Sequence, residues 1–476
     1  MDKMTPKKTA EVRRVDKGPA FGVRHIQVIF MFFLYLLMYG TRYSFSVALV
    51  AMTQRTTPNP EIQVYNWTNT GILLSTFFWG YVIPQIPIGI LGTKFGTKYF
   101  LLAAVFMNSM ASLWIPTMAE KIGIEGVAVC RVIQGFAQGL VIPSVHGLLG
   151  KWAPTNERSS LYGITVVGSI LGTIAGLSST GFICASWAGW PLSFYILPSL
   201  GIFWMVLYYF YGAGCPADHS SITEAEKTYI ENSLHSQNMR NVAIPYRAIF
   251  TSVPFLATVF MYLCSGWGFA IFFTELPIYM NKVMHFDIRS NGVLSSLPHV
   301  CNMCVGMTIA LVSDKMISKN YLSVGATRKI MSSTGSIGCA ILLFVLAFMP
   351  TTYRALSVVV LMLAASFRSL NGAGFNINHL DLAPNFGSTL MGFTNTAGEL
   401  LSLATPIAIQ FMVPDESNQY LWRRVFFTAV GLYTFSTIVF VIFASGERQW
   451  WNYIEKVPED EEQHFTDRKI EEERLS

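Results

Sequence analysis

Apolar residues fall in long runs along this chain, and polar residues gather in the short stretches between them. Twelve runs are about 20 residues or longer, the length a helix needs to cross a hydrocarbon core of roughly 30 Å. They lie near 25–52, 69–92, 99–118, 123–149, 161–184, 190–213, 251–281, 291–312, 327–349, 353–378, 387–413 and 421–444. The runs are continuous instead of strictly alternating, so they predict helices and not the strands of a barrel. The fold class expected is an all-α membrane protein of twelve transmembrane helices.

The longest polar stretch between runs, 214–248, divides the twelve into two halves of six. It contains Thr223-Glu-Ala-Glu-Lys227, a helix-forming composition in which Thr223 and Glu226 have capping-box spacing. The organisation expected is a tail over 1–24, a six-helix half over 25–213, a linker over 214–248, a second half over 249–446 and a tail over 447–476. The last tail is acid-rich (Glu459-Asp-Glu-Glu462, Glu471-Glu-Glu473) and reads as a solvated end. The halves echo each other: Ala153-Pro154 to Gly163 follows the fourth run, and Ala383-Pro384 to Gly392 follows the tenth. Internal repeats with a site between them are a transporter architecture.

Basic residues predict the orientation. The first tail (Lys3, Lys7, Lys8, Arg13, Arg14, Lys17), Lys94, Lys98, Lys151, Arg158, Lys315, Lys319, Arg328 and Lys329 fall on one side, which should be cytoplasmic and hold both termini. On the other side, Asn66-Trp67-Thr68 is a glycosylation sequon in the first loop. No cleavable signal peptide is read at the start, because the first apolar run is too long.

Composition agrees with the pattern: 52% of residues are hydrophobic and 13% charged, against about 25% charged in an ordinary soluble protein. The net charge of +5 is scattered through tails and loops, which argues against a nucleic-acid partner. The seven cysteines, including Cys301 and Cys304, lie mostly in apolar segments and read as packing. No nucleophile–base pair, phosphate-binding loop or metal-spaced set is found, so neither an enzyme nor a resident cofactor is expected.

Candidate chemistry rests on polar residues at membrane depth, where a charge costs about 2.5–3.5 kcal/mol on insertion scales. Arg131, Gln134 and Gln138 share one face of the fourth run, and Arg42 lies inside the first. Guanidinium groups facing a cavity suit an anion, although each arginine has the alternative of a paired or snorkelling role. Glu275 and Glu399 are candidates for coupling or for fixed ion pairs, and Arg368 matches Glu399 in depth as its expected partner. His146 and Asp381 are gate candidates near the cytoplasmic ends of the fourth and tenth runs. Gly168, Gly172 and Gly176 form a small-residue stripe for close helix packing.

The segments Lys151-Trp-Ala-Pro-Thr-Asn-Glu-Arg-Ser159, Phe77-Phe-Trp-Gly-Tyr-Val-Ile-Pro-Gln-Ile-Pro87, Phe375-Asn-Ile-Asn-His-Leu-Asp-Leu-Ala-Pro384, Gly189-Trp-Pro191 and Phe443-Ala-Ser-Gly-Glu447 resemble the anion:cation symporter branch of the major facilitator superfamily. That branch includes vesicular glutamate transporters, sialin and sodium/phosphate cotransporters. The opening Lys17-Gly-Pro and Gly22-Val-Arg-His is most similar to its invertebrate inorganic phosphate cotransporters. The resemblance implies that Arg42 and Arg131 handle the anion and that His146 matches a histidine of sialin. It also marks departures: Gln134 and Gln138 stand where sialin has glutamates, and Leu74 and Ser265 stand where vesicular glutamate transporters have a histidine and an arginine.

The reading is a secondary active transporter of inorganic phosphate or organic anions, working by alternating access with sodium or protons as coupling ion. Arg42 and Arg131 would attract the anion and Gln134 and Gln138 would form a hydrogen-bonding wall. A sialin-like proton-coupled organic-acid exporter, or a potential-driven uniporter or channel, is the alternative. The partners expected are the small anion and membrane lipid, with the chain functional as a monomer. Its place is a plasma, lysosomal or vesicular membrane.

Overall fold

The structure is a computed structural model that describes residues 19, 21–95, 97–154, 157–235 and 244–453. The basic and acid-rich tails anticipated above lie outside the described residues, as does the linker from 236 to 243. All regular structure among the described residues is helical. Twelve long helices form two halves of six: α1 (Val23–Thr53), α2 (Thr70–Phe95), α3 (Thr97–Lys121), α4 (Ile124–Trp152), α5 (Arg158–Cys184), α6 (Gly189–Tyr211), α7 (Val253–Lys282), α8 (Ile288–Ser318), α9 (Val324–Phe348), α10 (Arg354–Leu382), α11 (Gly387–Met412) and α12 (Gln419–Phe443). Ten are long and apolar enough to cross a membrane, and α2 and α11, of 26 residues each, complete the set. The protein is an integral multi-pass membrane protein.

Three of the described helices are irregular, two of them beside a proline. α4 breaks at Leu140, just ahead of Pro143, which has no N–H to offer the carbonyl of Gly139. α10 tightens into a 3₁₀ turn over Leu370–Gly372, at the equivalent place in the second half. α7 widens into a π turn over Ile271–Glu275, immediately before Pro277. Asp287, Ser323 and Asn418 cap α8, α9 and α12 by accepting backbone N–H bonds from Ser290, Ala326 and Tyr420.

The two halves repeat one packing scheme. α1 lies along α5 and α2 along α4, as α7 lies along α11 and α8 along α10. The α5 glycine stripe explains the closest of these crossings. A Cβ at Gly168, Gly172 or Gly176 would collide with the carbonyls of Phe32, Leu36 and Gly40 on α1. Between the halves, α5 packs on α8 and α2 on α11.

These cross-half contacts gather at the face opposite the termini. Ser178 donates to Ser296 at 3.0 Å, Thr70 donates to Glu416 at 2.8 Å, and Gln410 binds both Ile72 N–H and Asn69. Toward the terminal face α8 is mostly exposed beyond Asn302, with Leu311 at 73%.

At the terminal face each half is tied within itself. Buried Arg24 binds Glu157 at 2.8 Å and Glu226 at 3.0 Å, joining the start of α1 to the α4–α5 loop and the linker helix Glu224–His235. Arg328 binds Asp381 at 2.7 Å and the Ala373 carbonyl at 2.9 Å, joining α9 to α10. The capping box expected of Thr223 and Glu226 is only half formed. Thr223 accepts the Glu226 N–H, but the Glu226 carboxylate accepts instead from the N–H groups of Val23 and Arg24. A helix N-terminus with unpaired N–H groups attracts a carboxylate more strongly than a box within a short exposed helix.

Candidate functional site

A cavity of about 200 Å³ lies between the halves, at the mid-depth of the bundle. α1 contributes Tyr39 and Arg42, α2 contributes Tyr81, α7 Phe273, α8 His299, and α11 Asn395 and Glu399. The volume suits a small solute, below the 300–1,000 Å³ usual for larger ligands.

Arg42 is 4% exposed and reaches Glu399 across the halves at 3.6 Å, an ion pair too long to be a hydrogen bond. Rings surround the guanidinium: Phe77 at 4.6 Å, Tyr81 at 4.7 Å, and Tyr43 and Phe78 at 5.1 Å. Cation–π contact offsets part of the loss of water, yet Nε and Nη2 have no hydrogen-bond partner. Arg131 shares the Phe77 ring, at 4.8 Å, and lies 4.2 Å from the ring of Phe45. Its Nη1 donates to Gln134 Oε1 at 2.9 Å and its Nε is unpaired. Three guanidinium N–H positions, together with Glu399 Oε2 and His299 Nε2, are thus buried and unsatisfied. The guanidinium donors among them are costly unless something accepts from them. An oxyanion would.

Glycines set this geometry. A Cβ on Gly135 would strike the Phe77 carbonyl, and one on Gly80 would strike that of Val132, so α2 and α4 touch backbone to backbone. That contact brings one phenyl ring within reach of both arginines.

The other sequence candidates take varied positions. Arg368 does not meet Glu399, which Arg42 takes instead. It sits 5.5–6.0 Å from the rings of Phe273, Phe272 and Phe269, with Nε unpaired. Matching depth does not fix direction around a helix axis, and Arg42 projects from the facing half. Gln138 does not border the cavity: its amide donates to the Met38 carbonyl and to Asn108, both at 3.0 Å, binding α4 to α1 and α3. Gln134 acts on Arg131 and not on the cavity wall. Glu275 is buried on the opposite side, in the wall of a depression of about 1,000 Å³ between the outer ends of α1, α2, α7 and α11. His146 bonds the Ile142 carbonyl at 2.8 Å and packs against Tyr162. Asp381 belongs to the Arg328 clamp. Asn66 is exposed in the α1–α2 loop.

The residues not anticipated are mainly aromatic and amide: Tyr39, Phe273, His299, Asn302 and Asn395. Polar His299, Asn302 and Asn395 inside apolar runs carried a signal; the rings did not. Among the described residues, no group of three or more His, Cys, Asp or Glu side chains could hold a metal.

The Major Facilitator Superfamily model matches residues 31–406. The chain is 36% identical over 471 residues to a Drosophila melanogaster protein named for inorganic phosphate cotransport, covering 93% of this chain and 88% of that protein. It is 32% identical to Homo sapiens sialin over 462 residues, 92% of each chain. It is also 32% identical to Homo sapiens vesicular glutamate transporter 2 over 450 residues, 92% of this chain and 76% of that one. Among solved structures, a bacterial homologue of the human lysosomal transporter Spinster matches with a TM-score of 0.68 at 12% identity, over 89% of this chain and 97% of that one. A D-xylose–proton symporter matches at 0.68 and 14% identity, over 90% and 100%. At these identities the structural likeness is one of fold.

Proposed function

Since the chain belongs to the Major Facilitator Superfamily, in the branch holding phosphate cotransporters, sialin and vesicular glutamate transporters, we propose that it carries inorganic phosphate or an organic anion by alternating access. It is a secondary transporter of small anions, with no catalysed reaction assigned to it. The observation that carries the substrate reading is the set of unpaired guanidinium N–H groups of Arg42 and Arg131, beside and behind an inter-half cavity. The anion lies against Arg42 and displaces Glu399 from it; Arg131, held by Gln134, adds long-range attraction through the Phe77 ring.

A proton or sodium ion travels with the anion, and the chain works as a monomer because its cavity lies within one bundle. The terminal face is cytoplasmic, a reading supported by Lys98, Lys151, Lys315, Lys319 and Lys329 at that end. Exposed Asn66 then lies outside the cytoplasm, where it accepts a glycan. The membrane is plasma, lysosomal or vesicular.

The test is counterflow in proteoliposomes, with labelled phosphate against sialate, glutamate, urate and aromatic acids, for wild type and Arg42→Gln. Saturable counterflow of one anion, lost in the variant, is expected. No saturable flux of any anion in wild type would overturn the proposal.

A further inference from the structure

Two carboxylates lie buried at membrane depth, and they are not equivalent. Glu399 has Arg42 at 3.6 Å. Glu275 is 3% exposed, receives no hydrogen bond or ion pair among the described residues, and leaves Oε1 unsatisfied. It sits on the last residue of the π turn in α7, in the wall of the depression at the opposite face.

The basic groups on the elements packed around it are engaged elsewhere. Lys282, on its own helix, pairs with Glu416 at 3.9 Å. Arg42 on α1 holds Glu399, Arg289 on α8 lies over Phe182, Arg368 on α10 sits among the rings of Phe269, Phe272 and Phe273, Arg423 on α12 donates to the Ala347 carbonyl, and Arg424 beside it is exposed. The acidic groups that share the wall of the depression with it are Asp287, ahead of α8, and Asp415 and Glu416, after α11. His285, beyond the end of α7, borders the same depression. An ionised carboxylate here has no countercharge, and burying one alone costs several kcal/mol. A bare anion would not persist in this position, whereas a carboxylic acid would.

We propose that Glu275 is the proton carrier of the transport cycle, loaded from the opposite face through the depression it borders. This rests on the transport reading above and names its coupling residue. Among the described residues no three carboxylate, imidazole or thiol groups come together to hold a metal ion, so the role open to this carboxylate is to hold a proton. When the proton joins Glu275 Oε1 the carboxyl becomes neutral; when it leaves toward the terminal face, the charge left behind resets the outer ends of α7 and α11. Glu399, occupied by Arg42, serves the anion side of the same cycle.

The experiment compares wild type with Glu275→Gln in proteoliposomes, using labelled phosphate under a proton gradient, under a sodium gradient, and in counterflow without either. The variant should lose proton-driven accumulation and keep counterflow, which also shows that it is folded. Equal proton-driven accumulation in both proteins overturns the proposal while leaving the transport reading intact. So does accumulation driven by sodium alone, or loss of counterflow together with accumulation in a monodisperse variant. If neither phosphate nor any other anion of the panel named above gives counterflow in wild type, both readings are overturned. A second measurement needs no variant: a hydrophobic carbodiimide, which reacts with protonated buried carboxyls, should modify Glu275 in wild type. Mass spectrometry finding Glu275 unmodified would overturn the assignment.

Discussion

The Arg42–Glu399 pair joins α1 of one half to α11 of the other, so alternating access must make and break it. Replacing Glu399 with Gln removes the charge and keeps the shape. At 3.6 Å and an effective dielectric of about 20, Coulomb attraction is about 5 kcal/mol. Desolvation of both groups offsets much of this, but even about 1.5 kcal/mol is roughly tenfold in an equilibrium constant. With Arg42 freed, Glu399→Gln should therefore bind the anion about tenfold more tightly and turn over more slowly. Arg42→Gln should lose binding, and the double variant should be more stable than Arg42→Gln alone, because no uncompensated carboxylate remains. Counterflow gives KM and turnover, and thermal unfolding in detergent gives the stability order. If Glu399→Gln weakens anion binding as Arg42→Gln does, Glu399 supports the site instead of competing for it, and the reasoning fails.

Three further outcomes follow from the geometry. Gln134→Glu puts a carboxylate about where Gln134 Oε1 now lies, 2.9 Å from Arg131, and should raise the KM for the anion about tenfold; an unchanged KM would remove Arg131 from anion attraction. Ser178 and Ser296 touch at 3.0 Å across the halves, so the Ser178→Cys, Ser296→Cys pair should cross-link on oxidation and stop transport until reduced. Full cross-linking with transport intact would mean that this face does not open. The Arg24 guanidinium beside Glu157 holds its carboxyl below the usual carboxylate range. The clamp's contribution is therefore complete above about pH 5 and fades as pH falls through the lowered value, so the melting-temperature gap between wild type and Glu157→Gln should close in acid. A gap independent of pH would refute this.

The fold was legible because membrane depth is a one-dimensional property: runs of apolar residues give length and order directly. Pro143 and Pro277 accompany the irregularities in α4 and α7, but Pro84 and Pro87 lie inside an unbroken α2, so proline alone does not locate a break or a π turn. The site was harder because it depends on azimuth. Arg368 and Glu399 match in depth, yet one meets an aromatic sleeve and the other an arginine of the facing half. Gln138 lies on the expected face of α4, but the carbonyl of Met38 and the amide of Asn108 were nearer than the cavity. Phe77, within reach of two guanidinium groups, looks like any other apolar residue in sequence. Only the backbone contact at Gly135 gives that ring its role.

Glu226 fixes the linker helix to the start of α1, and Ile249, in the next helix, Tyr246–Thr251, is buried against Phe255, Leu382 and Trp451. The chain between these anchors runs from 236 to 245, and ten residues reach at most about 36 Å when fully extended. The linker is then a leash of fixed length. However far the halves swing apart, their anchors cannot separate beyond that reach without undocking one helix, so the widest opening at this face is set by chain length and not by the side chains that line the path.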